Sequence, residues 1–168
     1  HRDLHSFPTR RSSDLWTWYY DNGNVLREED FEDGLENGIA VEYARNGDIV
    51  SKGTYLNGVR EGDWYFNVGD EIQEGVYKAG EKDGIWKHYF PDKKLRFEGR
   101  YVDGAEQGLH RYYYPDGKLK MEGEFSMGKR HNEWKFYDED GILRTILTYQ
   151  FDEEQKIDGK RIIENKKS

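Results

Sequence analysis

Hydrophobic and polar residues alternate along most of this chain with a period of two, and glycines interrupt the alternation at regular intervals. From Trp86 the chain reads Trp-Lys-His-Tyr-Phe, turns at Pro91-Asp92-Lys93-Lys94, and resumes as Leu-Arg-Phe-Glu-Gly-Arg-Tyr up to Tyr101. From His110 it reads His-Arg-Tyr-Tyr-Tyr, turns at Pro115-Asp116-Gly117-Lys118, and continues from Leu119 to Phe125. A period of two marks a strand with one buried face, and a Pro/Asp/Asn/Gly turn between two such runs marks a β-hairpin. No stretch carries a helical period strong enough to compete.

The hairpin repeats. Trp16, Ala40, Trp64, Trp86, His110 and Trp134 open six units spaced 24, 24, 22, 24 and 24 residues apart, the short spacing reflecting two residues missing ahead of Gly69. Of the 19 glycines, all but Gly159 fall in four columns counted from these openings. They lie seven residues on (Gly23, Gly47, Gly69, Gly117, Gly141), thirteen on (Gly53, Gly75, Gly99, Gly123), eighteen on (Gly34, Gly58, Gly80, Gly104, Gly128) and twenty-two on (Gly38, Gly62, Gly84, Gly108). Lys93 takes the glycine place in the fourth unit, where a positive φ should cost about 1 kcal/mol. An aromatic column stands at fifteen: Phe31, Tyr55, Tyr77, Tyr101, Phe125 and Tyr149. Such a period means a repeat array, usually a binding surface. The expected fold is all-β, an elongated single-layer antiparallel meander of about six hairpin repeats and about twelve strands.

Side chains argue the register. If each opening residue faces the position thirteen on, each Trp covers a bare glycine. Even positions of the first strand then share a face with odd positions of the second. That face is aromatic, and on it the candidate partner-binding residues are Trp86, His88, Phe90, Phe97, Tyr101, Tyr112, Tyr114, Phe125, Trp134 and Phe136. The opposite face is a charged lattice with a tyrosine stripe, in which Lys87 faces Glu98 and Arg111 faces Glu122. Each exposed pair is worth only about 0.2–1 kcal/mol. Helices are absent and the tail is mostly charged, so nothing in the sequence is expected to cover the whole aromatic face. An exposed apolar patch of that kind marks a partner or a second copy.

Composition narrows the function. The net charge of −8 makes a nucleic-acid backbone a poor partner. There are no cysteines, hence neither disulfides nor thiolate metal sites. Aromatics make up 15% of a chain that is only 35% hydrophobic, so Trp, Tyr and Phe must do most of the burying. Nothing resembles a nucleophile with its base, or a phosphate loop. His88, His110 and His131 lack the close ligand pairs of a metal site and read as packed rings. Glu28, Glu74, Glu98 and Glu122 recur with the repeat, and alternate strands lie about 9.6 Å apart, so they form a solvated ladder rather than an active site. No catalytic residues, metal or cofactor are expected.

Residues 1–15, HRDLHSFPTRRSSDL, contain no glycine and do not join the repeat. All fifteen match the translation of a common short-read sequencing adapter, and the segment is expected to be non-native and disordered. The HRDL opening lacks the asparagine of a kinase catalytic loop, Pro8 standing in its place. The repeat domain is expected to span residues 16–152, with residues 153–168 a charged tail and candidate capping strand. On this reading the native N-terminus is missing, which leaves cytoplasm, cell envelope and membrane association open.

The units resemble MORN repeats in their bacterial variant, W-x-x-Y-Y-x-x-G-x-L-x-x-E-G-x-Y-x-x-G-x-x-x-G, most closely from Trp86 through Gly108 and from His110 through Gly128. The second unit departs from it with Ala40, Glu42 and Ala44, and the sixth with Leu147 and Asp152 in glycine places. The resemblance implies a non-catalytic interaction module or scaffold that binds a protein partner or itself. An antitoxin-like member of a toxin–antitoxin pair is its most concrete version. Two alternatives stand beside it: a cell-wall or carbohydrate module of the choline-binding kind, suggested by Trp18-Tyr19-Tyr20, and the regulatory arm of a longer enzyme.

Overall fold

The computed structural model describes residues 14–161, and among them the chain forms one antiparallel sheet of 14 strands in sequence order. The strands are β1 (Asp14–Tyr19), β2 (Val25–Glu32), β3 (Leu35–Tyr43), β4 (Ile49–Leu56), β5 (Val59–Val68), β6 (Glu71–Lys78) and β7 (Glu81–Tyr89). They continue as β8 (Leu95–Val102), β9 (Ala105–Tyr113), β10 (Leu119–Ser126), β11 (Lys129–Tyr137), β12 (Leu143–Gln150), β13 (Glu153–Ile157) and β14 (Lys160–Arg161). The meander is the expected one, with two short strands added from the tail. At the other end β1 begins at Asp14, and both Asp14 and Leu15 pair with β2. That corrects the expected disorder for these two residues: an open sheet edge templates any neighbouring backbone, since the ladder bonds are made by main chain alone. Residues 1–13 lie outside the described residues.

The two long sides of the sheet are built from different turns. One side carries two-residue turns such as Asp33-Gly34 and Asp103-Gly104, both residues at positive φ, the arrangement that matches strand twist. From Asn57-Gly58 on, each of these turns donates a backbone bond to the second residue of the strand that follows the turn before it, as in Gly58 N to Glu36 O (2.8 Å) and Gly104 N to Lys82 O (2.9 Å). The other side carries longer turns closed by the glycine column at seven, where Lys93 does adopt the expected positive φ, at 65°. Here side chains do the stitching, with the Tyr20 hydroxyl donating to Tyr43 O (2.8 Å) and the Tyr114 hydroxyl to Tyr137 O (2.9 Å). The third unit, two residues short, closes instead at Gly69-Asp70, and β5 pairs with β6 without a bulge.

Register follows the expectation within each unit. Trp64 faces Gly75, Trp86 faces Gly99, His110 faces Gly123 and Trp134 faces Leu147. Between units the pairing is interrupted. Lys52 pairs with Tyr65 and Thr54 with Glu61, so Gly53 alone opposes the three residues Gly62–Trp64. The same bulge recurs at Gly75, Gly99 and Gly123. The glycines at twenty-two therefore belong to bulges inside strands, at positive φ, and are no part of the turn at eighteen.

Candidate interaction face

The bulge decides which glycine each ring covers. A Cβ added at Gly53 would overlap the Trp64 ring, one at Gly75 the Trp86 ring, one at Gly99 the His110 ring and one at Gly123 the Trp134 ring. Each ring thus lies on the glycine of the preceding unit and not on its partner within the hairpin. Its ring nitrogen then reaches the carbonyl just after that glycine. Trp64 Nε1 donates to Thr54 O at 3.2 Å, Trp86 Nε1 to Val76 O at 3.0 Å and Trp134 Nε1 to Glu124 O at 3.1 Å. His110 Nε2 sits 2.9 Å from Arg100 O in the same place. Since that carbonyl only accepts, His110 is the tautomer protonated at Nε2.

Between these rings stand the aromatics at fifteen, and together they make one continuous spine. Its successive centroid separations run from Tyr55–Trp64 at 5.1 Å through Trp64–Tyr77 at 6.0 Å and Tyr77–Trp86 at 5.1 Å. It continues through Trp86–Tyr101, Tyr101–His110, His110–Phe125, Phe125–Trp134 and Trp134–Tyr149 at 6.4, 5.6, 4.7, 5.1 and 6.4 Å. Most contacts are edge-on or tilted, as ring quadrupoles favour.

Charged side chains from the sheet itself cover part of this face, which the sequence reading left bare. In the third, fourth and sixth units the residue four before the opening position lies across the rings: Arg60 over Trp64 (4.8 Å), Phe66 and Tyr77, Lys82 over Trp86 (4.0 Å) and Tyr101, Arg130 over Tyr149 (4.2 Å). Long stems cover apolar surface while the head stays polar. Arg60 and Arg130 also donate to the Tyr77 and Tyr149 hydroxyls. The signal was a column of Glu36, Arg60, Lys82, Glu106 and Arg130 in register with the rings.

Of the candidate binding residues, Trp86, Phe97 and Trp134 are core, at 0%, 5% and 3% exposure. His88, Phe90, Tyr101, Tyr112, Tyr114, Phe125 and Phe136 are half-buried. The structure groups Phe97, Tyr101 and Tyr112 with His88 and Glu71 around a hollow of about 330 Å³. Burial lowers the pKa of His88 although Glu71 opposes the shift, and burial likewise lowers that of His110. Burial first, then the Glu106 charge, pushes Tyr101 up to about 12. His131 stacks near Phe151, with centroids 4.8 Å apart. Among the described residues no group of three or more His, Cys, Asp and Glu could hold a metal ion.

The opposite face is the charged lattice expected. Arg111 bridges Glu98 (3.5 Å) and Glu122 (3.3 Å), while Tyr113 and Tyr43 donate to Glu98 and Glu28. It also holds a hollow of about 640 Å³, floored by Thr54, Tyr65 and Val76 and walled by Ile39 and Ile85. Sequence reasoning missed it. Its signal is the residue just before the opening position of the second and fourth units, where Ile39 and Ile85 are exposed.

A thin sheet of stacked hairpins with a ring spine on one face defines a β-repeat protein whose surface is large for its core. Sequence comparison gives the family. The family described as MORN repeat variant matches residues 15–33, 36–57, 82–103, 106–126 and 130–150, more than half of the chain. This chain belongs to that family. The unmatched stretch, 58–81, carries the shortened turn and its unbulged pairing. No curated protein matches the chain. MORN repeats are commonly protein- or membrane-binding modules, compatible with a non-catalytic interaction scaffold.

Proposed function

We propose that this sheet is a protein-interaction scaffold that engages a protein partner or a second copy through the aromatic face of its fourth to sixth units. The observation that carries the reading is the division of labour among the rings. Trp86, Phe97 and Trp134 are spent on the core, while Phe90, Tyr101, Tyr112, Phe125 and Phe136 on the same face stay half-exposed. A rigid apolar base with half-exposed Tyr and Phe above it is the make-up of an interface hot spot. The role of antitoxin-like partner in a two-protein pair is the most concrete form of this proposal. No helix among the described residues is long and apolar enough to cross a membrane.

Sedimentation velocity over a concentration series tests it. Tyr112→Ser should weaken self-association or binding of a co-purified partner by about tenfold, whereas Arg111→Ala should change it less than about twofold. Equal effects from the two faces would overturn the assignment, provided both variants melt near the parent.

A further inference from the structure

The residue that bulges from the second strand of each long-turn hairpin changes character along the array. It is Leu26 and Val50 in the first two units, the third has no bulge, and in the last three it is Arg96, Lys120 and Arg144. In the sixth unit Asp138 pairs with Arg144. The places that match Asp138 in the fourth and fifth units, four residues past the opening position, are Phe90 and Tyr114. Arg96 and Lys120 lie over these two rings, at 5.4 and 5.6 Å, and meet no carboxylate there.

Both cations line the hollow of about 330 Å³ together with His88, Phe97 and Tyr112. Register sets these three rings in one row across β7, β8 and β9, with Phe97 4.7 Å from His88 and 4.9 Å from Tyr112. The Lys120 ammonium has no ion-pair or hydrogen-bond partner among the described residues. Arg96 reaches Asp70 and Glu71 only at 3.8 and 3.6 Å, beyond hydrogen-bonding distance. Glu71 is engaged elsewhere: its carboxylate contacts His88 Nδ1 and accepts from Gln73 at 3.0 Å. With Nδ1 so held, His88 Nε2 is buried without a hydrogen-bond partner.

We propose that this hollow receives the carboxylate of an aspartate or glutamate side chain of a protein partner, held between Arg96 and Lys120 beside His88. The two cations stand on alternate strands about 9.6 Å apart, so their long side chains can close on one carboxylate from either side of Tyr112. The incoming group takes the part that Asp138 plays for Arg144. Phe97 is core and Tyr112 half-buried, so the ion pair forms against rings rather than in open water, where it is worth little. A net charge of −8 opposes polyanions but leaves a local pair of cations free to take a single carboxylate. The inference rests on the reading of the sheet as a protein-interaction module and names the chemistry of its partner.

The test is an NMR titration of the full chain, isotope-labelled, with the peptide acetyl-Gly-Gly-Glu-Gly-Gly-amide. Its glutamine counterpart and inorganic phosphate serve as comparators. The glutamate peptide should shift His88, Phe97, Tyr112 and Lys120, and the glutamine peptide should not. Lys120→Gln should weaken binding about fivefold. Lys78→Gln makes the same charge change at an exposed lysine ending β6 and should leave the affinity within about twofold. The pH profile gives a second readout. Burial holds His88 below 6.5, opposed by Glu71 and aided by the charges of Lys82 and Arg96. A carboxylate beside the ring favours the imidazolium, so binding takes up a proton and should tighten about threefold from pH 8 to pH 6, where glutamate stays ionised. His88→Phe should flatten that profile. Equal losses in the two lysine variants, equal shifts with the glutamine peptide, a flat profile in the parent, or tighter binding of phosphate than of the peptide at these residues would each overturn the proposal. If the titration fails while Tyr112→Ser still weakens association, the carboxylate site is wrong and the module reading stands. If both fail, both are wrong.

Discussion

The junction between the first two units and the junctions after it solve the same packing problem in opposite ways. From Gly53 onward the earlier strand contributes a glycine and the later strand a ring that lies on it, as Trp86 does on Gly75. At the first junction the earlier strand contributes Glu29 and the later one Ala40. Both are buried, at 2% and 5% exposure. Bulk has moved across the strand pair, and the small residue with it. The cost moves too. Trp86 satisfies its single polar atom on Val76 O, whereas Glu29 brings a carboxylate that must be paired, and Arg27 supplies the pair at 2.7 Å. The bulge also slides by one residue: Glu29 and Ala40 pair directly, and Asp30 becomes the residue facing the extra three, accepting from Ile39 N at 3.1 Å. Beyond this junction the first unit is left open, with Trp16 at 53% exposure.

The comparison breaks most sharply if the later junctions do not depend on ring and glycine together. Trp86→Ala should cost about 3–5 kcal/mol, as a large buried ring does. Gly75→Ala should cost about 1–3 kcal/mol or more, because the added methyl enters the ring itself. In the Trp86→Ala background the same Gly75→Ala should cost close to nothing. Urea unfolding of the four proteins measures the coupling, and additive losses would show that the glycine serves the bulge rather than the ring.

A transplant sharpens the comparison from the other side. Ala40→Trp alone drives an indole into Glu29 and should lose about 1–3 kcal/mol. Glu29→Gly alone leaves a void and an unpaired Arg27, with a loss of similar size. The double variant carries the glycine–tryptophan pair of the Gly53, Gly75 and Gly123 junctions and should be more stable than the sum of its singles by about 1–3 kcal/mol. A double no better than the sum would mean that the shifted bulge at Asp30, not residue volume, fixes the first junction.

How much of this was legible in the sequence depends on the kind of signal. The period, the hairpins and the within-unit register could be read because alternation and turn residues are local, and the side-chain period of two leaves no choice of face. The glycine column at twenty-two was visible, but what it serves was not. A glycine at positive φ serves a turn or a bulge equally well, and only the pairing of Lys52 with Tyr65 and Thr54 with Glu61 tells them apart. The same bulge moved each ring onto the preceding glycine. The cover over the spine was overlooked because Arg60, Lys82 and Arg130 look like surface charge in a pattern of apolar and polar positions. Their stems lie on rings all the same. Lys82 helps to bury Trp86 in this way, whereas Phe97 is buried among His88, His110 and Tyr112, and Trp134 between Phe125 and Tyr149.

The fifth unit offers the gentlest test, since His110 occupies the place of a tryptophan. Burial depresses its pKa below the ordinary 6.5, and the same holds for His88. In the unfolded chain each takes up a proton as the pH falls through about 6.5, while the folded sheet resists until lower pH. The unfolded state therefore binds more protons in that window, and stability must fall as the pH drops from 7.5 to 5. The turn carboxyls of Asp92, Asp116, Asp138 and Asp152 are held below 3.8, so their contribution is lost only in more acidic solution. Urea midpoints at pH 7.5 and 5 should thus differ for the parent. His110→Trp, which writes the sequence of the neighbouring junctions into the fifth, should reduce that difference to the part due to His88, and the double change with His88→Phe should reduce it further. An undiminished fall in His110→Trp would show that the ring in the fifth unit is as free to protonate folded as unfolded, and that its seat on Gly99 is not the dry one the tryptophans have.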